Sequence, residues 1–128
     1  MRDLKAGKTT KLAVKPGGGD PNGDVYVYGI SGDGRYVLLQ SRATDVLPGD
    51  ANGSGGDVFV HDRLTGKTVL ASAKASGGFA RRGDSVLCSI SLNGRYVAFE
   101  SNASTLVPGD ANGTFDVFVR KLPLPVTP

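Results

Sequence analysis

The chain has 128 residues, including 19 glycines, one cysteine and no tryptophan. This length suits about one domain, and a single cysteine excludes an intramolecular disulfide framework. The 15 basic and 12 acidic side chains give a net charge of +3, which is too mild and scattered for the basic stripe of a nucleic-acid-binding domain. No apolar run is long enough for a transmembrane helix, and the first residues lack the apolar core of a secretory signal peptide.

Short runs rich in β-branched and aromatic residues, bounded by turn residues, recur along the chain and predict strands. In chain order they lie near residues 7–13, 25–30, 35–41, 57–62, 67–73, 85–90, 95–101 and 116–121. Asp33-Gly34 and Asn93-Gly94 readily adopt the positive φ angles of hairpin turns. No window has the apolar period of an amphipathic helix. The sequence therefore predicts an all-β fold.

The chain contains an internal repeat. Residues 31–53 and 91–113 are identical at thirteen of 23 positions when aligned at an offset of 60. The run DVFV at 57–60 recurs at 116–119, at an offset of 59. A repeat of this kind indicates a stacked or radial architecture. We expect one segment over 1–128, built from two units of about 60 residues at roughly 1–60 and 61–121, with a tail at 122–128.

The predicted strands make two four-stranded antiparallel sheets, but the repeat is out of phase with them. If 25–30 is the first strand of a sheet, 67–73 is its fourth, and the next sheet has three strands. Its fourth strand then has to come from 7–13. The apolar runs Tyr36–Leu39 and Tyr96–Phe99 predict strands that are covered on both faces. The two sheets are therefore expected to stack face to face.

Four-stranded sheets that repeat radially are the blades of a β-propeller. The residues GRYVAFES at 94–101 and LVPGDANGTFDVFVR at 106–120 resemble the TolB-like β-propeller repeat, a WD-type repeat of bacterial envelope proteins. The resemblance covers residues 1–120, and Lys121 departs from the aspartate usual at its position. It implies blades of a six- to eight-bladed ring, an interaction or ligand-binding role, and a periplasmic or extracellular location.

Two blades leave large apolar faces exposed, and about three or more repeats are usually needed for stability. Two interpretations are open. The chain completes a ring with further copies of itself, since three copies supply six blades and four supply eight. Alternatively, it is a structural fragment of a larger TolB-like envelope protein or propeller-containing enzyme, without independent activity.

The loop before the third strand of each unit repeats oxygen-bearing side chains, which are candidate ligands for Ca²⁺. The candidates are Asp50, Asn52, Asp57, Asp110, Asn112 and Asp116. The spacing lacks the third acidic position and the terminal glutamate of an EF-hand. A turn in which Asp50 and Asp110 accept hydrogen bonds from loop amides is the alternative. No cofactor other than Ca²⁺ is expected.

No catalytic constellation is recognisable. His61 is the sole histidine and is expected to be an exposed or interfacial strand residue, and no serine lies in a G-x-S-x-G motif. Cys88 lies in the apolar run VLCSI, which predicts a buried thiol. We therefore expect no enzyme, but a β-propeller module that binds a protein or a glycan at its loop-rich face.

Overall fold

The computed structural model describes residues 2–3, 5–12, 15, 19–47, 55–73, 78, 84–103, 106 and 114–122. Within these residues the structure contains nine β-strands and no helix, which confirms the all-β prediction. The strands are β1 (Arg2–Asp3), β2 (Lys8–Thr9), β3 (Val25–Ile30), β4 (Tyr36–Ser41), β5 (Asp57–Asp62), β6 (Thr68–Leu70), β7 (Ser85–Ile90), β8 (Tyr96–Ser101) and β9 (Asp116–Lys121).

Each predicted strand segment contains an observed strand, and β1 is an additional strand that the sequence did not predict. The strands form three sheets in the orders β1-β2, β3-β4-β5-β6 and β7-β8-β9. All neighbouring strands pair antiparallel. Over the described residues, therefore, only one of the two predicted four-stranded sheets is complete.

The strand from segment 7–13 does not join the last sheet within the chain. Instead β2 pairs with β1, with Arg2 opposite Thr9 and Asp3 opposite Lys8. In the complete sheet His61 lies opposite Thr68. The residues 59 positions earlier in the sequence are Arg2 and Thr9. The β1–β2 hairpin thus repeats the register of the β5–β6 hairpin.

The first hairpin of each large sheet is closed by the same side-chain chemistry. Ser31 Oγ donates to Asp33 Oδ1 and accepts from the amide of Tyr36, at 2.7 and 3.0 Å. The corresponding contacts of Ser91, at 2.8 Å to Asn93 Oδ1 and 3.0 Å from the Tyr96 amide, repeat this geometry. Gly34 and Gly94 have φ angles of +75° and +74°, as predicted for hairpin turns that require the left-handed region.

Two apolar clusters form the core. The larger one lies between the two large sheets and joins residues such as Leu38, Val60, Val97 and Phe99. The smaller one lies on the other face of the β3–β6 sheet and contains Val37, Leu39, Ala43, Val46 and Phe59, with Leu12 packed against it. Strand β4 is buried at all six positions, because both of its faces are covered.

Candidate interaction surface

The two large sheets pack through unlike faces. Side chains alternate between the faces of a strand, so Tyr36 and Leu38 of β4 share one face with Val58 and Val60 of β5, as their cross-strand pairing requires. We call this the tyrosine face and the opposite one the phenylalanine face. The tyrosine face of the β3–β6 sheet lies against the phenylalanine face of the β7–β9 sheet, which contributes Val97, Phe99 and Phe118.

The equivalent tyrosine face of the β7–β9 sheet is open. Val117 and Val119 are the counterparts of Val58 and Val60, yet they are 72% and 69% exposed whereas the latter are 0% exposed. Tyr96, the counterpart of the buried Tyr36, is 45% exposed. The sequence prediction that both apolar runs are covered on both faces is therefore wrong for β8, because no sheet among the described residues packs against this face.

A shallow cleft of about 390 Å³ opens beside this face. Its walls include Ser89, Ala98 and Val117, and Tyr28 of β3 contributes from the neighbouring sheet. Neither Val117 nor Val119 was among the functional residues predicted from the sequence. The signal that could have found them is the repeat itself, since each is the last copy of a core position in this chain.

A residue from the N-terminal segment packs on the phenylalanine face of the β3–β6 sheet. Leu12, which follows β2, packs against the cluster formed by Val37, Leu39 and Phe59. Ala71, which follows β6 and is the counterpart of Leu12 at an offset of 59, lies in the cluster between the two large sheets. Leu12 and Ala71 thus occupy equivalent places, each against the phenylalanine face of the sheet that follows it.

The last sheet also has an open edge. In the complete sheet β5 pairs with β4 on one side and with β6 on the other. In the last sheet β9 pairs with β8, and no described strand lies on its second edge. An unpaired strand edge presents amide and carbonyl groups to any further strand. The surface therefore combines apolar side chains with backbone hydrogen-bonding groups.

An ion pair between Arg35 and Asp62, which we call the charged lock, lies at one end of the complete sheet. The residues at the corresponding positions of the last sheet are different. Arg35 binds the Asp62 carboxylate with both Nε and an Nη, at 2.8 and 2.9 Å. Hydrogen bonding from this guanidinium, with help from Thr65 and the Leu64 amide, holds the pKa of the Asp62 carboxyl well below its usual range. At the corresponding positions stand Arg95 and Lys121.

Arg95 and Lys121 are both cations, so the lock cannot be repeated between them. Arg95 is exposed and forms no ion pair with another described residue. The end of the last sheet therefore lacks the carboxylate that stabilises the complete sheet.

Of the six predicted Ca²⁺ ligands, only two fall among the described residues. Asp57 is buried at the start of β5 and Asp116 is half-buried at the start of β9, so they belong to different sheets. The other four, Asp50, Asn52, Asp110 and Asn112, lie outside the described residues. The described part of the chain contains no group of three or more His, Cys, Asp or Glu side chains suited to a metal. The Ca²⁺ site stays a prediction.

The two residues considered from the sequence for catalytic chemistry, His61 and Cys88, are both buried. His61 is 4% exposed, which excludes the exposed alternative and leaves the interfacial one, and its Nδ1 lies 2.8 Å from Thr68 Oγ1. Burial lowers the pKa of His61. Cys88 is buried as predicted, and burial raises the pKa of its thiol to about 11. The thiol therefore stays protonated near neutral pH.

The part of the chain that the structure describes includes no helix long and apolar enough to cross a membrane. No family model, no curated protein and no solved structure matches this chain.

Proposed function

We propose that the chain is a non-catalytic β-propeller segment that acts as a binding scaffold for a protein or glycan ligand and is completed by association with further copies. In this arrangement each large sheet is one blade. Three copies supply six blades and four copies supply eight, within the usual range of about 4–8 for propellers.

The observation that carries the proposal is the contrast between the two tyrosine faces. Val58 and Val60 are fully buried, whereas Val117 and Val119 are 72% and 69% exposed. A contact that exists once inside the chain is therefore available a second time. Because the contact joins two unlike faces, its repetition is heterologous and forms a ring when the rotations close.

The ligand-binding part of the proposal is supported by the resemblance to TolB-like repeats, which serve as interaction platforms and also suggest a periplasmic or extracellular location. In this chain Tyr26 and Tyr28 are 55% and 43% exposed on β3. Tyrosine combines an apolar ring with a hydroxyl group and is enriched at interfaces. A glycan array probed with the assembled form separates a glycan ligand from a protein ligand.

The alternative function is that of a structural piece of a larger TolB-like envelope protein or propeller-containing enzyme. In that case a further unit of the same polypeptide covers Val117 and Val119. The presence of Lys121 where the complete sheet has Asp62 does not distinguish the two proposals. Either a second copy or a further unit of the same polypeptide can supply the carboxylate that the last sheet lacks.

The mass of the chain in solution tests the proposal. We expect a discrete species of three or four times 13.2 kDa by native mass spectrometry and by light scattering after size exclusion, across a dilution series. A stable monomer, or a polydisperse aggregate at every concentration, contradicts self-assembly and favours the alternative.

A further inference from the structure

We infer that the open edge of β9 is completed by residues 8–11 of a second copy, paired antiparallel in the register that β6 adopts on β5. The inference rests on the proposed self-association and identifies the contact that produces it. The partner is thus a second copy of this chain, and the contact is an added strand.

The complete sheet defines the register of the missing strand. There Phe59 lies opposite Leu70, Val60 opposite Val69 and His61 opposite Thr68. On β9 the corresponding positions are Phe118, Val119 and Arg120. Moving the β6 residues back by 59 positions gives Lys11, Thr10 and Thr9 as their partners.

The donor segment shares one paired position with β6, and Thr10 and Lys11 follow directly after β2. Arg2 lies opposite Thr9 in the β1–β2 hairpin, as His61 lies opposite Thr68 in the complete sheet. However, β1 has only two residues, whereas β9 has six. Exchanging β1 for β9 therefore lengthens the ladder that β2 and the following residues can form.

The position of Leu12 relates the added strand to the β3–β6 sheet of the copy that donates it. Leu12 follows β2 closely and packs against the cluster on the phenylalanine face of that sheet. When β2 joins β9 of another copy, the exposed Val117 and Val119 are brought towards this same phenylalanine face. One contact then closes the open edge and covers the open face, and it continues the stacking already present between the two large sheets.

One feature of this register opposes the contact. In the inferred contact, Lys121 lies opposite Lys8 of the second copy. In the complete sheet the corresponding residues are Asp62 and Lys67, and the Asp62 amide nitrogen donates to the Lys67 carbonyl oxygen at 2.7 Å. Like charges directly opposite on neighbouring strands are destabilising. The substitution Lys121→Asp removes this repulsion. We therefore expect it to lower the dissociation constant of the assembly about twofold to fivefold.

Disulfide trapping tests the register directly. The His61–Thr68 pair neighbours the hydrogen-bonded Asp62–Lys67 pair, so it is a non-hydrogen-bonded pair with Cα atoms roughly 4.5 Å apart, a separation that a disulfide accepts. The inferred counterparts are Arg120 of one copy and Thr9 of the other. The chain with Arg120→Cys is mixed with the chain carrying Thr9→Cys under mild oxidation, and covalent dimers are followed on non-reducing gels.

The matched control is Thr10→Cys, whose side chain points to the opposite face of the strand. We expect covalent dimers from the Arg120→Cys and Thr9→Cys mixture at least about tenfold faster than from the Arg120→Cys and Thr10→Cys mixture. The unsubstituted chain is oxidised in parallel, because it carries only the buried Cys88. Circular dichroism and thermal melting establish that each variant is folded.

The outcomes separate the inference from the proposed function. A trimer or tetramer that cross-links equally at both pairs, or at neither, overturns the strand register and leaves self-assembly standing. A monomeric chain without cross-links overturns both. Tighter association of Lys121→Asp supports the register, and unchanged or weaker association counts against it.

Discussion

At the level of single residues, the Arg35–Asp62 lock is the most buried of the ion pairs between described residues. The Asp62 side chain is 0% exposed, and Arg35 is 11% exposed. Bidentate, charge-assisted hydrogen bonds of this kind are stronger than neutral ones. Because Thr65 and the Leu64 amide also donate to the carboxylate, removing its charge weakens several contacts at once.

We expect Asp62→Asn to lower the free energy of unfolding by about 2 kcal/mol at neutral pH. The folded-state pKa of Asp62 lies below its ordinary value of 3.8. Its stabilisation is therefore complete above that value and is lost as the pH falls below it. Urea denaturation at pH 7 and pH 3 measures the difference between wild type and variant.

The control for this prediction is Asp20→Asn, which removes the exposed Lys11–Asp20 ion pair. Exposed pairs contribute little to stability, so we expect no measurable change. A difference between wild type and Asp62→Asn that is the same at both pH values contradicts the prediction.

At the scale of whole elements, the stacking of the two large sheets depends on a close approach at Gly94. A Cβ atom added at Gly94 would overlap the ring of Tyr36, while one added at Gly34 would meet nothing nearer than Arg63 Nη1 at 3.9 Å. Both glycines have the same left-handed backbone conformation. They differ only in what the other sheet places beside them.

This pair of glycines isolates the energy of sheet packing. We expect Gly34→Ala to cost roughly 1–2 kcal/mol, from backbone strain alone. Gly94→Ala is expected to cost about 1–3 kcal/mol more, because the Tyr36 ring must move. Thermal or urea denaturation of both variants gives the difference, and equal losses of stability would show that the sheets do not pack through this contact.

At the scale of the whole molecule, the open tyrosine face governs association. Burying a valine side chain stabilises by roughly 1.5–3 kcal/mol, and Val117 and Val119 stand side by side on this face. Monomeric proteins rarely leave large contiguous apolar patches exposed. Substitutions on this face are therefore expected to weaken association of the chains while leaving the fold of the β7–β9 sheet intact.

We expect Val117→Thr combined with Val119→Thr to raise the dissociation constant of the assembly by at least about tenfold, while the melting temperature of the dissociated chain stays unchanged. Threonine keeps the β-branched shape that strands favour. Leu64→Thr is the control, since Leu64 is also 69% exposed but lies in the β5–β6 turn. Sedimentation velocity measures all three chains, and equal weakening by the control would contradict the role of this face.

The amino-acid sequence was sufficient to predict the local structure of this protein. Strand segments, hairpin turns and the burial of Cys88 were predictable because β-branched runs, Asn-Gly and Asp-Gly pairs and apolar neighbours act over a few residues. The repeat also identified equivalent positions such as Val58 and Val117. All of these features depend on contacts within or between adjacent segments.

The tertiary structure alone decided which equivalent positions are buried. Val58 and Val117 have the same neighbours along the chain, Asp and Phe, yet one is sealed and the other is open because only the first has a sheet packed against it. For the same reason β8 alternates in exposure while β4 is wholly buried. Strand β2 pairs with β1 and not with β9, and the sequence does not decide between these two edges because the register of the β5–β6 hairpin fits both.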